Sequence, residues 1–457
     1  MQTSSPWAED AVFYHVYPLG ACGAPARNDF QTADEPRLAL LNPQMDRWQR
    51  MGVNALYLGP LFESTAHGYD TADYFRVDRR LGTNAQLAEM VRELHRRGIH
   101  VILDGVFNHV GRDFWAFQQL RREGESSAYR DWFRNISFDG QSPYGDPFRY
   151  EGWHGCMDLV RLNLKLPAVR KHLLEAVTRW IEEFDIDGLR LDVAEELPVD
   201  FLRELATFCR ARRPDFWLLG EMIHGDYRRI ANPEMLDSAT NYECFKGLWS
   251  SFNERNFFEI AYALNRQFGP EGVYRELGLY NFADNHDVTR VASILKNRRH
   301  LNPLYLLLFA MPGVPSIYYG SEWGTGGLKE DGDPALRPAL FSPDWHEPPP
   351  MPELEPQIAA MAHARHGSPA LRHGGYRQIL VQSECLVFAR ECAEETVLFA
   401  VNSAEQGITV ELDTGMRDGE LAGLLDEGPR VTIAQGRCQL TLEPCSGRLL
   451  RLIDPAR

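Results

Sequence analysis

Two acidic residues that each follow an apolar run could form the paired carboxyl groups that cleave a glycosidic bond. Asp192 ends the run DIDGLRLD, and Glu221 ends the run WLLGE. In retaining cleavage one carboxylate attacks C1, while the other protonates the leaving oxygen and then activates water. Arg190 lies two residues before Asp192, so both side chains leave a strand on the same face. We therefore expect Arg190 to keep Asp192 ionised, and burial beside negative neighbours to keep Glu221 protonated.

Two further segments place polar side chains directly after apolar runs. VILDGVFNH supplies Asp104, Asn108 and His109, and YNFADNHD supplies His286 and Asp287. A single residue of this kind could equally be part of a structural ion pair or a helix cap. Four such segments in succession argue instead for one shared functional site, located where the carboxyl ends of parallel strands meet. Asp287 is predicted to bind sugar hydroxyls and to raise the pKa of Glu221.

Short apolar runs alternate with amphipathic stretches up to about residue 365, which predicts repeated βα units. Eight such units favour a closed (β/α)8 barrel, in which the carboxyl ends of the strands face the active-site mouth. An open doubly wound sheet is the alternative, and the lack of a glycine-rich phosphate loop after the first strand counts against it. Barrel strands are predicted at 12–17, 55–58, 101–104, 188–192, 217–221, 238–241, 279–282 and 316–319, with helices such as 85–97 and 169–184 between them.

Two regions depart from this alternation. Residues 107–164 are rich in aromatics, Gly, Asp and Pro and are too long for an ordinary βα connection, so they are predicted to form a lobe over the barrel mouth. Short alternating strands after residue 369 predict a C-terminal antiparallel β-sandwich, at 376–381, 386–390, 396–401, 407–412 and 448–453. The predicted domains are the barrel at 1–106 and 165–367, the inserted lobe at 107–164, and the β-sandwich at 368–457.

The composition excludes some classes of partner. The formal net charge of the 457-residue chain is −16, and so acidic a surface repels nucleic acids and anionic lipid. The apolar stretch 304–319 is interrupted by prolines and is too short to span a bilayer. No secretory signal is visible, and the eight scattered cysteines, with no CxxC pair, are typical of a reducing compartment. We expect a cytoplasmic protein that binds neither nucleic acid nor membrane, and the oligomeric state is left open.

The four motif segments, in this order and spacing, resemble the four conserved regions of the α-amylase family. The resemblance spans the barrel, the lobe and the C-terminal β domain, and it implies a retaining hydrolase of α-glucosidic bonds. It implies that Asp192 is the nucleophile, Glu221 the general acid/base and Asp287 the transition-state stabiliser. Asp104 is implied to anchor the first motif.

The resemblance also implies which residues bind the substrate, an oligosaccharide. Tyr69 in HGYDTADY is similar to the tyrosine that stacks under the sugar in the −1 subsite, with Asp70 beside it. Asp333 and Arg337 in GDPALRP resemble a loop pair of the oligosaccharide-acting branches. The full set implied to contact substrate is Tyr69, Asp70, His109, Arg190, His286, Asp333 and Arg337.

Two segments place the chain near one branch of the family. DIDGLRLDVAEE and GWHGCMDLVRLNL look most like the cyclomaltodextrinase, neopullulanase and maltogenic amylase branch. That branch usually carries an N-terminal β domain, which we expect to be missing because the first barrel strand starts near residue 12. It often has a tryptophan where this chain has Ile223, so the acceptor-side subsites are left open.

A family calcium site is only partly matched. Secreted starch-degrading relatives bind calcium between the lobe and the barrel, through the first-motif Asn and a His shortly after the nucleophile. Asn108 is present, but Glu195 and Glu196 stand at the later position. Carboxylates are hard-cation ligands in themselves, so a calcium ion is left open while no cofactor is expected to be required.

The favoured function is hydrolysis, mainly of α-1,4 bonds, in maltodextrins or cyclomaltodextrins. Val193, directly after the nucleophile position, is compatible with α-1,6 action. The alternative is therefore an α-1,6-glucosidase, or a sucrose- or trehalose-type α-glucosyl hydrolase or transferase. A non-catalytic sugar-binding protein is the remote third interpretation, since this chain keeps both catalytic carboxyl positions.

Overall fold

Eight parallel strands close into a barrel in the computed structural model, which describes residues 5–415, 418–425 and 428–453. Numbered along the chain, the strands are hydrogen-bonded in the order six, five, four, three, two, one, eight, seven. A parallel bridge between Thr240 and Tyr280 connects the sixth strand to the seventh and so closes the sheet. The predicted (β/α)8 barrel is confirmed. Parts of two predicted domains lie outside the described residues. They are residues 1–4 of the barrel and residues 416–417, 426–427 and 454–457 of the C-terminal domain.

The barrel strands form where the apolar runs predicted them, with both ends within two residues of the expected bounds. Alternate side chains point to opposite faces. Tyr57, Ile102 and Trp217 fill the barrel interior, whereas Leu56 and Leu103 pack outward against the helices. The strands are Phe13–Val16, Ala55–Leu58, His100–Gly105, Gly188–Leu191, Trp217–Gly220, Ser238–Ala239, Tyr280–Phe282 and Val314–Tyr318.

Helices surround the barrel because their apolar stripes face its outer wall. The helix Asn84–Arg96 begins with a capping box formed by Thr83 and Gln86 and buries Leu87, Val91 and Leu94. The longer α-helices of the barrel are Gln44–Arg50, Asn84–Arg96, Pro167–Phe184, Val199–Arg212, Tyr242–Asn253, Phe258–Phe268, Leu301–Ala310 and Leu354–His366. Shorter α-helices are Pro6–Glu9, Pro18–Ala21, Val291–Ile294, Asp333–Leu336 and Pro369–His373. No helix among the described residues is long and apolar enough to cross a membrane.

Two insertions lie at the mouth of the barrel. After the second barrel strand, the hairpin of Phe62–Ser64 and Thr71–Val77 carries residues 65–70 at its tip. After the third barrel strand, a small antiparallel sheet combines His109–Gly111, Gly152–Trp153 and Cys156–Arg161. The helix Trp115–Glu123 lies within the same connection.

The C-terminal domain consists of two antiparallel sheets around one core. Val387 and Leu398 of the larger sheet pack against Val410, Leu440 and Leu442 of the smaller one. The larger sheet contains Gly375–Val381, Cys385–Glu391, Thr396–Asn402, Ser446–Ile453, Gly419–Gly423 and Val431–Ile433, and the smaller contains Ile408–Asp413 and Arg437–Leu442. The predicted antiparallel β domain is confirmed, and the three strands between Asp413 and Ser446 were not predicted.

A buried carboxylate ties the amino-terminal end of the barrel together. Oδ2 of Asp187 accepts hydrogen bonds from the backbone N–H of Val101 at 2.6 Å and from Nε2 of His95 at 2.8 Å. Its Oδ1 accepts from Nη2 of Arg213 at 2.6 Å. Although burial raises the pKa of Asp187, hydrogen bonds from His100 and His95 outweigh it and hold the pKa below its usual range. This carboxylate, directly before the fourth barrel strand, therefore connects the third strand, the helix Asn84–Arg96 and the residue that follows the helix Val199–Arg212.

We expect the substitution Asp187→Asn to destabilise the protein by about 1–3 kcal/mol, because it weakens the hydrogen bonds of a buried carboxylate to the half-buried His95 and Arg213. Asp185→Asn is the matched control, since Asp185 contacts the same His95 and Arg213 but is exposed. The control is expected to change stability by less than about 1 kcal/mol. Urea unfolding of the three proteins checks this, and equal losses in both variants would contradict the role given to Asp187.

Candidate active site

The ends of neighbouring barrel strands bring the predicted catalytic residues Asp192 and Glu221 together with two other predicted site residues. Asp104 lies in the third barrel strand and pairs in register with Arg190 in the fourth. Asp192 directly follows the fourth strand, and Glu221 directly follows the fifth. All four side chains are buried. Because these strands are parallel, their carboxyl ends meet at one end of the barrel.

The guanidinium of Arg190 contacts three carboxyl groups. Its Nη1 lies 2.9 Å from Oδ1 of Asp104 and 2.9 Å from Oδ1 of Asp192. Its Nη2 lies 2.9 Å from Oε1 of Glu221. Since Asp192 and Glu221 bind two nitrogens of the same guanidinium, their carboxyl groups lie side by side in one buried environment.

Burial raises the pKa of both members of this pair. For Asp192 the pKa is well above its usual range, because desolvation and the neighbouring Glu221 and Asp104 outweigh the attraction of Arg190. For Glu221 burial is again the main cause of the raised pKa, with Arg190 opposing it and Asp287 adding to it. The predicted rise for Glu221 is confirmed. Arg190 lowers the pKa of Asp192, as its contact at 2.9 Å predicts, but burial outweighs this effect.

The other oxygen of Asp104 is held by two tyrosines. Its Oδ2 accepts hydrogen bonds from the hydroxyl of Tyr57 at 2.8 Å and from that of Tyr69 at 3.0 Å. The Tyr69 hydroxyl also hydrogen-bonds Nε2 of His286. Both oxygens of Asp104 are therefore engaged by protein groups, and the side chain connects the third barrel strand to the hairpin that carries Tyr69.

Asp287 lies between a histidine and an arginine. Its Oδ2 is 2.9 Å from Nε2 of His286, and its Oδ1 is 3.3 Å from Nη2 of Arg337. Arg337 also donates to the carbonyl of His286 at 3.2 Å and pairs with Asp333. Although partial burial raises the pKa of Asp287, His286 and Arg337 outweigh it and hold the pKa below its usual range. Asp287 is thus a carboxylate, and its side chain is 37% exposed toward the mouth.

Asp70 binds the backbone of its own turn rather than the other predicted site residues. Its Oδ1 accepts hydrogen bonds from the backbone N–H groups of His67 at 3.1 Å and Gly68 at 3.2 Å. The carboxylate therefore shapes the turn that carries Tyr69, and no described contact joins it to Asp192 or Glu221. Asp333 is also peripheral: it is exposed and approaches the site through Arg337.

The residue after Asp192 has an unusual backbone conformation. Val193 has φ 47° and ψ 43°, in the left-handed region that β-branched residues rarely adopt. In this conformation its N–H donates to Oε2 of Glu221 at 2.9 Å. Such backbone strain, of about 1–3 kcal/mol, persists only when the surroundings enforce it. Here it couples the end of the fourth barrel strand to the carboxyl group on the fifth.

His109 approaches Asp192 from the lobe. Its Nε2 lies 3.8 Å from Oδ2 of Asp192, and its Nδ1 lies 3.2 Å from Nδ2 of Asn108. The ring of Trp153 stacks on it with 5.6 Å between centroids. Burial lowers the pKa of His109 to about 3, so the imidazole is neutral over the ordinary pH range.

The residues at the family calcium position do not fit a calcium ion. Nη2 of Arg161 lies 3.1 Å from Oδ1 of Asn108 and 3.0 Å from Oε2 of Glu196. Calcium needs six to eight oxygen ligands at about 2.3–2.6 Å, and a guanidinium already lies between these oxygens. Among the residues that the structure describes, no group of three or more His, Cys, Asp or Glu side chains could hold a metal ion.

Sequence reasoning missed two side chains at the end of the first barrel strand. The ring of His15 stacks on Tyr57 with 4.1 Å between centroids and meets His286 edge-on at 5.2 Å. Tyr17 lies under the guanidinium of Arg337, 4.5 Å from ring centroid to Cζ. The segment FYHVYP carried a usable signal, since a His and a Tyr two residues apart at a strand end share one face.

Comparison with known proteins identifies relatives of this arrangement. Residues 41–342 match the family of α-amylase catalytic domains. A cyclomaltodextrinase from a Bacillus species is 31% identical over 441 residues, which cover 91% of this chain and 77% of the relative. Neopullulanase 2 of Thermoactinomyces vulgaris is 30% identical over 473 residues, covering 98% and 78%. The structure of the cyclic α-maltosyl-(1→6)-maltose hydrolase of Arthrobacter globiformis superposes with a TM-score of 0.82 at 26% identity, covering 98% of this chain and all of that one.

We expect the substitution Arg190→Met to destabilise the fold in a pH-dependent way, because three buried carboxyl groups lose their shared cation. Without it the folded-state pKa values of Asp192 and Glu221 rise further above the unfolded values, so stability is retained at low pH and lost as the pH rises. A loss of about 3–5 kcal/mol is expected at pH 8 and a smaller loss at pH 5. Urea unfolding at the two pH values, with the unsubstituted protein as control, measures this. A loss independent of pH would contradict the arrangement.

Proposed function

The chain belongs to the α-amylase family, and from this premise we propose that it is a retaining hydrolase of α-glucosidic bonds, mainly α-1,4, in maltodextrins or cyclomaltodextrins. The observation that carries the proposal is the shared contact of Asp192 and Glu221 with one guanidinium. Two carboxyl groups about 5–5.5 Å apart are what double displacement requires. The relatives named cyclomaltodextrinase and neopullulanase support the substrate class.

In the proposed mechanism Asp192 attacks C1 of the sugar and Glu221 protonates the departing glycosidic oxygen. Glu221 carries the proton in this step, while the guanidinium of Arg190 balances the charge of the ionised Asp192. In the second step the ionised Glu221 removes a proton from water, which attacks C1 and releases Asp192. The first proton leaves with the departing sugar as its hydroxyl hydrogen, and the proton taken from water restores the protonated Glu221 at the end of the cycle.

The remaining site residues are proposed to bind the sugar. Asp287 stays ionised and accepts hydrogen bonds from sugar hydroxyls, with Arg337 and His286 holding it in place. Tyr69 offers its ring and His109 its free ring nitrogen to the sugar next to Asp192. Because the charge on the sugar ring becomes positive in the transition state, carboxylates on both sides stabilise it more than they stabilise the substrate.

The domain division and the compartment are also part of the proposal. We retain the barrel at 1–106 and 165–367, the lobe at 107–164, and the β-sandwich at 368–457, supported by the strand positions described above. A cytoplasmic location is supported by the eight cysteines, all of which are free.

A substrate panel tests the function. We expect the purified protein to release reducing sugar from maltohexaose and cyclodextrins with a higher kcat/KM than from panose, isomaltose, trehalose or sucrose. Cyclic α-maltosyl-(1→6)-maltose belongs in the panel because the Arthrobacter globiformis hydrolase is named for it. Asp192→Asn is expected to lower kcat on the order of 10,000-fold or more. Equal rates for the Asp192→Asn variant and the unsubstituted protein would overturn the proposal, and a preference for isomaltose would favour the α-1,6 alternative.

The pH dependence tests the role of Glu221. Because burial raises the pKa of Asp192 and Glu221, we expect kcat/KM for maltohexaose to fall on the alkaline side as the pair loses its proton, at a pH above the usual carboxyl range of about 3.9–4.3. Glu221→Gln is expected to lower kcat/KM about 100- to 10,000-fold.

The substrate α-glucosyl fluoride shows whether Glu221→Gln has lost only acid catalysis or has a disrupted active site. Fluoride leaves without a proton, so the Glu221→Gln variant is expected to form the glycosyl-enzyme from this substrate and to transfer it to added azide as the α-azide. Glu195→Gln, an isosteric change close to Asp192, is the control and is expected to behave like the unsubstituted protein. If Glu221→Gln were equally inactive on the fluoride and on maltohexaose, the acid/base role would be wrong.

A further inference from the structure

Arg161 lies where the lobe meets the barrel, and none of the predicted roles includes it. In the lobe sheet it pairs directly with His109 across two antiparallel strands. Its guanidinium contacts Asn108, Glu196 and, through Nη1 at 3.0 Å, Oε1 of Glu151. One cation therefore connects the first motif, the turn that follows Asp192, and the lobe.

The contact with Arg161 determines which way the Asn108 amide points. A guanidinium has only donors, so the group of Asn108 that faces Nη2 at 3.1 Å must be the carbonyl oxygen. The amide nitrogen then faces Nδ1 of His109 at 3.2 Å. Because an amide nitrogen only donates, Nδ1 must accept, and the single proton of the neutral imidazole is on Nε2.

The protonated nitrogen faces the reacting groups. Nε2 of His109 is buried, lies 3.8 Å from Oδ2 of Asp192 and has no hydrogen-bond partner among the described residues. Trp153 covers one face of the ring, and its Nε1 donates to Oε1 of Glu196 at 3.2 Å. The ring is therefore fixed in place with one unused donor, directed at the space beside Asp192.

We propose that Arg161 is a positioning residue that, through Asn108, fixes the tautomer of His109 so that Nε2–H faces a substrate hydroxyl beside Asp192. The same guanidinium supplies the positive charge at the junction of lobe and barrel, where calcium does not fit. The identity of the hydroxyl group rests on the proposed function, whereas the tautomer does not.

The tautomer is measured directly by ¹⁵N NMR of histidine-labelled protein, with the His109 resonances assigned from the His109→Asn variant. Nδ1 is expected to be unprotonated and Nε2 protonated in the unsubstituted protein. Asn108→Asp keeps an acceptor for Arg161, and so keeps the junction, but turns an acceptor toward His109. In that variant Nδ1 is expected to become protonated. A proton on Nδ1 of the unsubstituted protein, or an unprotonated Nδ1 in Asn108→Asp, would overturn the proposal.

Kinetics separate positioning from a purely structural role. Arg161→Met is expected to lower kcat/KM for maltohexaose about tenfold, the value of one oriented hydrogen bond. In a His109→Ala background the same change is expected to be less than about twofold, because both substitutions remove the same interaction. Arg134→Met is the matched control, since Arg134 also contacts Glu151, at 3.3 Å, but not Asn108.

The outcomes are distinct. The proposal is overturned if the losses of kcat/KM multiply when Arg161→Met is combined with His109→Ala, or if Arg134→Met loses as much as Arg161→Met. Either result would show that Arg161 only holds the lobe in place. An unsubstituted protein that cleaves no α-glucan would contradict the proposed function instead, and the NMR measurement would still decide the tautomer.

Discussion

A single buried guanidinium makes the rest of the site possible. Three carboxyl groups, from Asp104, Asp192 and Glu221, lie in an interior where isolated charges are strongly disfavoured, and Arg190 is the cation that all three contact. The barrel provides this arrangement because parallel strands place residues of neighbouring strands side by side at one end. Asp104 then fixes two tyrosines, so the charge cluster also orients the hairpin at the mouth.

The paired carboxyl groups and Asp287 lie in different electrostatic environments. Burial raises the pKa of Asp192 and Glu221 together, while Asp287 a short distance away stays ionised because His286 and Arg337 accompany it. Two neighbouring environments thus shift the pKa values of chemically similar groups in opposite directions. That difference is what a reaction needs when one group must donate a proton and another must stabilise positive charge.

Much of the barrel and of the site could be predicted because both depend on local patterns. Apolar runs followed by a charged residue, as at Asp104 and Glu221, locate strands and their active ends. Contacts between distant segments could not be predicted: nothing near Arg161 in the chain indicates that it bonds Asn108. The left-handed conformation of Val193 depends on packing, and the pKa of Asp192 depends on how deeply the pair is buried. The strands Gly419–Gly423 and Val431–Ile433 were missed because they are short and only partly apolar, and the six-residue strand Arg437–Leu442 was missed although its apolar and polar residues alternate.

The central claim is that Asp192 and Glu221 act as a retaining pair across one sugar. The most direct measurement is ¹H NMR of the first reducing-end product formed from maltohexaose, recorded before mutarotation. Double displacement predicts that the α-anomer appears first and that the β-anomer grows in later. If the β-anomer appeared first, a water molecule would be attacking C1 directly, and the assignment of Asp192 as nucleophile would be wrong.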